Sequence, residues 1–227
     1  MVHDELPFDF GLLRELTETN GVPGYEGRVR DIVRRELTDE VDTIESDGMG
    51  NLVGTIEGTG DQHVVVAAHM DEIGFMVRHI TDDGYLKLDA LGGWDARVLK
   101  AQRVTVHTDD EDLTGVIGSP PPHTLDESDL EGDDEVADVY VDLGRDGDEV
   151  TELVNIGDFV TTQQLTALMG EHVTGKALDN RVSVFALIEA ARRLDSPTAT
   201  IHLAATVQEE VVLRGERAIG VDIDADV

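Results

Sequence analysis

Residues 63–77 read "HVVVAAHMDEIGFMV". The first half is an almost unbroken apolar run, the pattern of a central strand covered on both faces. The run stops on a histidine, a methionine and two acids. From about residue 72 the texture changes. Short strand-like runs follow one another: "IGFMVRHI", "GYLKLDAL", "QRVTVHT", "LTGVIGS", "VADVYVDL" and "DFVTT". Gly-, Asp- and Pro-rich turns separate them, so residues 72–162 are predicted to form a small all-β domain.

On either side of that domain the periodicity is different. "DFGLLRELTET" (9–19) and "EGRVRDIVRREL" (26–37) carry apolar residues at helical spacing, with the loop "NGVPGYEG" between them. "NLVGTIEG" (51–58) reads as a strand. "DNRVSVFALIEAARRL" (179–194) reads as a helix whose Arg192 and Arg193 suit the negative end of its dipole. "TATIHLAAT" (198–206) is rich in β-branched residues and reads as a buried strand. The order α/β, β, α/β predicts an α/β domain, residues 1–71 and 163–227, with a β-rich domain inserted at 72–162. Its sheet is expected to be mixed, mostly parallel and placed between helices. "SPPPHTLDESDLEGDDE" (119–135) is expected to be a mobile loop.

Composition narrows the function. The net charge is −32, with 49 acidic residues against 17 basic ones, of which Lys87, Lys100 and Lys176 are the lysines. Nucleic-acid phosphates would be repelled by such a surface. The acids are dispersed, and at molar salt, where the Debye length is ~3 Å, their mutual repulsion is screened. A salt-rich cytoplasm, as in halophilic archaea, is the expected setting. The absence of cysteine excludes disulfides, thiolate metal sites and cysteine nucleophiles. No stretch approaches a membrane span, and "MVHDELPFDF" lacks the blocks of a signal peptide, so a soluble cytoplasmic protein is expected.

Three motifs carry the chemistry. "AAHMDE" (67–72) puts His69 and Asp71 at the end of a strand, two residues apart and so on one face or edge. An imidazole and a carboxylate suit zinc, cobalt or manganese, and Asp71 can instead orient the His69 ring. "GKALDNR" (175–181) puts Asp179 at a helix start, where a plain helix cap is the simpler reading. "VQEE" (207–210) ends a buried strand on two glutamates, Glu209 and Glu210, although unpaired buried carboxylates are costly. Ligands of open α/β sheets gather outside the carboxyl ends of the strands, which is where these groups would converge. Adjacent glutamates leaving a strand point apart, so one can bind a metal and the other act as a base.

"AAHMDEIGFMV", "GKALDNR" and "VQEEVVLRG", in this order and spacing, resemble the metallo-aminopeptidases of the M42 family. "NGVPGYEG", "ESDGMGNLVGTIEG", "LGGWDARVL" and "VNIGDFVT" fit the same family, so the resemblance covers essentially the whole chain. It implies two divalent ions, zinc or cobalt, with His69 on one, Glu210 on the other and Asp179 bridging. It implies that Glu209 is the general base on the water between them and that Asp71 supports His69. Peptide substrates, a cis Asp179–Asn180 bond, and a homo-oligomer building from dimers to a dodecamer through the inserted β domain are implied as well.

The family pattern continues with a further carboxylate and a histidine that have no counterpart here, so a C-terminally truncated chain, lacking one ligand per metal and nearly inactive alone, is expected. Asp222, Asp224 and Asp226 look like a surface turn rather than substitutes. Three other readings compete: a glycoside hydrolase working with two carboxylates, a non-catalytic fragment that keeps assembly contacts, and a related di-metal carboxypeptidase or deacylase.

Overall fold

The computed structural model describes residues 6–121 and 135–227, so most of the loop read over 119–135 lies outside the described residues. In chain order the first elements are α1 (Phe10–Glu18), α2 (Gly27–Leu37), β1 (Thr43–Ser46), β2 (Leu52–Ile56) and β3 (His63–His69). Next come β4 (Gly74–Ile80), β5 (Leu86–Leu91), β6 (Arg103–His107), β7 (Asp112–Gly118), β8 (Tyr140–Asp142), α3 (Gly147–Leu153) and β9 (Phe159–Thr162). The last are β10 (Ala167–Met169), β11 (His172–Thr174), α4 (Leu178–Ala191), β12 (Thr200–Thr206) and α5 (Arg214–Asp222). The chain divides into two compact units, Met1–Glu72 with Gln164–Val227, and Ile73–Gln163.

The first unit is α/β. Asp9 starts α1 by accepting the Leu12 amide at 3.0 Å. Phe10, Leu12, Leu13 and Leu16 then fall on its buried face. α2 buries Val29, Ile32, Val33 and Leu37 at the same helical spacing. Together with Val184, Leu187, Ile188 and Ala191 of α4 they cover the sheet face carrying Leu52, Ala68, Leu203 and Ala205. β10 and β11 form a separate antiparallel hairpin.

The four-stranded sheet has the order β1-β2-β12-β3. It is mixed, but only β12 and β3 pair in parallel, while β1–β2 and β2–β12 are antiparallel. "Mostly parallel" therefore does not describe these four strands. The Asp47–Gly50 turn is too short for anything but an antiparallel return, whereas the long excursion from β3 to β12 permits a crossover. β3 was expected to be central and is instead last in the order, with Val66 41% exposed. An apolar run reports burial tendency and not the number of paired neighbours. Residues 226–227 lie beside this strand, where Val65 N–H donates to Val227 and Asp226 N–H donates to His63.

The second unit is a closed barrel of order β4-β5-β8-β7-β6-β9. Its filling alternates along β7, where Leu113, Gly115 and Ile117 point inward and their neighbours outward. Phe75, Val77, Leu86, Leu88, Val104, Val106, Val141 and Val160 complete the core. Between β8 and β9, where the sequence suggests only a turn, lies α3, started by Asp146 accepting the Glu149 amide at 3.0 Å. Among the described residues no helix is long and apolar enough to cross a membrane.

Candidate metal centre

β3 and β12 run side by side in the same direction, with Thr206 opposite His69, so both chains leave the sheet at one rim. His69 is 7% exposed. Its Nδ1 lies 3.1 Å from the Asp71 carbonyl oxygen and 3.5 Å from Asp71 Oδ1. A proton on Nδ1 donated to that carbonyl leaves the lone pair on Nε2. Nε2 faces Asp179 Oδ1 at 3.4 Å and Glu209 Oε2 at 3.8 Å. One ligand atom each from His69, Glu209 and Glu210 lies within 4.8 Å of the others. The five groups read from the sequence are thus brought to one place.

Asp179 reaches it by irregular backbone. Ala177 precedes α4 in the left-handed region at φ 54°, and Asp179 (φ −84°, ψ 108°) and Asn180 (φ −120°, ψ 28°) are not helical. The Asp179–Asn180 bond is cis. Among the described residues no backbone amide of α4 donates to the Asp179 carboxylate, so Asp179 is not the plain helix cap that its position in the sequence suggests. Its carboxylate is 89% exposed and free to face His69.

Asp71 does more than hold an imidazole. It is fully buried, and its two oxygens accept the backbone N–H groups of Glu209 at 3.1 Å and Glu210 at 3.0 Å. Burial would raise its carboxyl, but the His69 ring and these two amides outweigh that and lower it. Burial would likewise depress His69, yet Asp71 and Glu209 hold the imidazole up at about 9. Glu210 is pushed up by burial and by the carboxylates of Glu209, Asp71 and Asp179, against the pull of His69. The rim is short of positive charge. A nitrogen and oxygen donor set with surplus carboxylate suits a divalent ion such as zinc, cobalt or manganese, so the residues present fit a metal.

The same motifs hold charges that the sequence reading passed over. Glu72, one residue after Asp71, is buried and takes the Lys176 ammonium on both oxygens at 2.7 Å. Burial depresses Lys176, with Glu72 pulling the other way. Arg181 is fully buried, 3.9 Å from Glu72, and donates to the carbonyls of Leu16, Thr19 and Gly21. The segment bearing Asp179 is therefore pinned at both ends to the strand end bearing His69. A lysine and an arginine flanking "ALDN", with a glutamate at the strand end, were the available signal. Asp222 and Asp226 lie elsewhere. Asp222 closes α5, and Asp226 accepts the His63 amide at 2.9 Å, at the opposite end of β3 from His69.

A family model described as M42 glutamyl aminopeptidase matches residues 50–227. The chain belongs to the M42 peptidase family. A model named AMPT also matches residues 9–32. Among M42-like relatives, lysyl aminopeptidase of Pyrococcus furiosus is 37% identical over 226 residues, 96% of this chain and 64% of the relative. The crystal structure of a TET aminopeptidase from a marine sediment archaeon of the Thaumarchaeota superposes with TM-score 0.90 at 34% identity, over 96% of this chain and 63% of that one. The TET1 peptidase of Pyrococcus horikoshii, described as assembling into a tetrahedron or a large octahedral shell, matches with TM-score 0.83 at 36% identity, over 92% of this chain and 64% of that one. The chain spans less than two thirds of the length of each of these relatives.

Proposed function

We propose that this chain carries the centre of a di-metal aminopeptidase that removes N-terminal residues from peptides. The observation that supports this most is His69 Nε2 facing Asp179 and Glu209, with Glu210 beside them, at the joint rim of two parallel strands. His69 and Glu210 would each hold one ion, zinc or cobalt, and Asp179 would bridge. Such ions, when bound, polarise the scissile carbonyl and make water acidic. Glu209 is 30% exposed and so within reach of solvent and substrate. It takes the proton of the attacking water and returns it to the leaving amine. Asp71 fixes the backbone of both glutamates and the ring of His69. The carboxylate surplus favours the cationic amine of a free peptide N-terminus over a blocked one.

The barrel unit is proposed as the assembly domain of a homo-oligomer, by analogy with the shells described for TET1 of P. horikoshii. A salt-rich cytoplasm remains the proposed setting, on the charge of −32. The test is turnover of a free-amine amino-acid anilide in molar salt by the protein at its relatives' full length, with cobalt or zinc and then with a chelator. Metal-dependent cleavage is expected, with an N-acetylated anilide left intact. Cleavage of glycosides that survives chelation would turn the reading to a glycoside hydrolase. Preference for blocked substrates would turn it to a deacylase or carboxypeptidase.

A further inference from the structure

β12 ends at Thr206, and the next four backbone amides have no strand to pair with. Each is nevertheless satisfied, and each by a side chain from a distant part of the sequence. Val207 N–H donates to Asn51 Oδ1 at 3.0 Å, and Gln208 N–H to Glu26 Oε1 at 3.1 Å. Glu209 and Glu210 donate to Asp71, as described above. Asn51 and Asp71 are fully buried, and Glu26 is 3% exposed. Asn51 is itself held by Asp47 at 2.7 Å and donates to the Gly215 carbonyl at 3.1 Å. Gly215 leaves the room for this, because a Cβ there would meet Val207 O at 2.4 Å and Asn51 Oδ1 at 2.5 Å.

The weak point of this row is Gln208. It sits at φ 56°, in the left-handed region that non-glycine residues avoid, and so reverses the chain between the strand and Glu209. Glu26 also accepts the Gly24 amide at 2.7 Å, which ties the loop "NGVPGYEG" to the same point. Burial pushes its carboxyl up, against the pull of the Gly24 and Gln208 amides. A buried carboxylate is an expensive way to satisfy an amide. What it adds is a strong, directional acceptor that fixes where the following residue points.

We infer that Glu26 is a positioning residue for Glu209: by holding the Gln208 amide in its left-handed turn it sets the direction in which the base leaves the strand. This rests on the aminopeptidase reading. Glu26 is placed on the backbone behind the base and not on the reacting atoms, so its loss should lower kcat and leave KM nearly unchanged.

The test uses Glu26→Met, which keeps bulk without an acceptor, and Glu26→Gln, which keeps an acceptor without charge. Residue-resolved amide exchange is measured together with kcat and KM on the free-amine anilide with cobalt. In Glu26→Met the Gln208 amide should exchange at least about tenfold faster while those of Leu203 and Ala204 stay protected. There kcat should fall about 10–100-fold, as for the loss of other supporting partners, with KM within about threefold. Glu26→Gln should recover most of both. Unchanged Gln208 exchange, or faster exchange with wild-type kcat, overturns the inference. If Glu26→Met does not fold, Glu26→Asp, which retracts the oxygens by one methylene, should show the same pair of changes, and wild-type values in it overturn the inference. No turnover in any buffer by the protein at its relatives' full length would defeat the aminopeptidase reading and the inference with it. An active wild type with unaffected variants would defeat the inference alone.

Discussion

Around the ends of β3 and β12 the α/β unit buries Glu26, Asp71, Glu72, Lys176 and Arg181, whereas the buried polar side chains described in the barrel are His107, Thr161 and Thr162. The barrel is filled by Phe75, Leu86, Leu88, Val104, Ile117, Val160 and their neighbours, and apolar area is what holds it. The α/β unit has a comparable apolar core under α1, α2 and α4, and carries its buried charges in addition. Burying charge costs stability unless it is paired, and even paired it gains little over apolar packing. The difference teaches where chemistry lies. One unit keeps expensive groups because they hold a constellation, while among the described residues of the other the buried titratable side chain is His107, paired with Asp112 at 2.7 Å.

The comparison breaks most visibly if function and stability fail to separate. Glu209→Gln should reduce kcat by about 10²–10⁴-fold, as expected for a general base, with the unfolding midpoint unchanged. Leu86→Ala in the barrel should do the reverse, costing about 2–5 kcal/mol of stability while each folded molecule keeps its turnover within about threefold. Kinetics and denaturant unfolding of the two variants settle it. A Glu209→Gln protein that turns over normally, or a Leu86→Ala protein as stable as the parent, would erase the distinction.

Lys176→Met sharpens it within the α/β unit. Removing one partner of the buried pair leaves Glu72 with the Gly21 amide at 3.1 Å and Arg181 at 3.9 Å. A loss of about 3 kcal/mol is expected, largely recovered when Glu72→Leu is added. Unfolding curves of the single and double variants measure it, and an unaffected single variant would mean the pair is solvated rather than buried.

A smaller effect follows from His69. In metal-free protein its imidazole is held up at about 9 against 6.5 ordinarily. The sign is that of a raised base: its contribution to metal-free stability is fully present below about pH 6.5 and is lost as pH rises through about 9. Zinc needs the neutral ring, so the ion held by His69 displaces a proton and its affinity should climb with pH up to about 9 and then level. Titration calorimetry across that range checks it, and an affinity flat from pH 6 to 9 would remove His69 from the ligand set. The most diffuse expectation concerns both units together. With a net charge of −32, the unfolding midpoint should rise from low to molar salt, and a falling midpoint would contradict the salt-rich setting.

Much of this was legible in the residues, for reasons that can be named. The helical spacing of Leu12, Leu13 and Leu16, and of Val29, Ile32 and Val33, gave α1 and α2, and the alternation through "LTGVIGS" gave β7. His69, Asp71, Glu209 and Glu210 stood out because acids and histidine are out of place at the end of apolar strands. That the strands ending at His69 and Glu209 are neighbours follows from the convergence of those groups, and β3 and β12 do pair. The place of β12 between β2 and β3 was not legible, since it rests on pairings far apart in sequence. α5 was missed because "RGERAIGVD" has two glycines and few apolar residues, with Gly215 and Ile219 the buried ones. The amide contacts of Glu26, Asn51 and Asp71 were out of reach for a similar reason. An acceptor and the N–H it holds are more than 130 residues apart, so no local pattern in the sequence joins them.

The proposed divalent-cation centre joins His69, Asp179 and Glu210, with Glu209 beside it. Crystals of the protein equilibrated with zinc and measured at the zinc absorption edge test that most directly. The expected anomalous map has its strongest peak at about 2.0–2.2 Å from His69 Nε2 and from carboxylate oxygens of this set, the range of zinc bonds to nitrogen and oxygen. A map at saturating zinc with no peak among these four side chains, or with its strongest peak elsewhere, would contradict it.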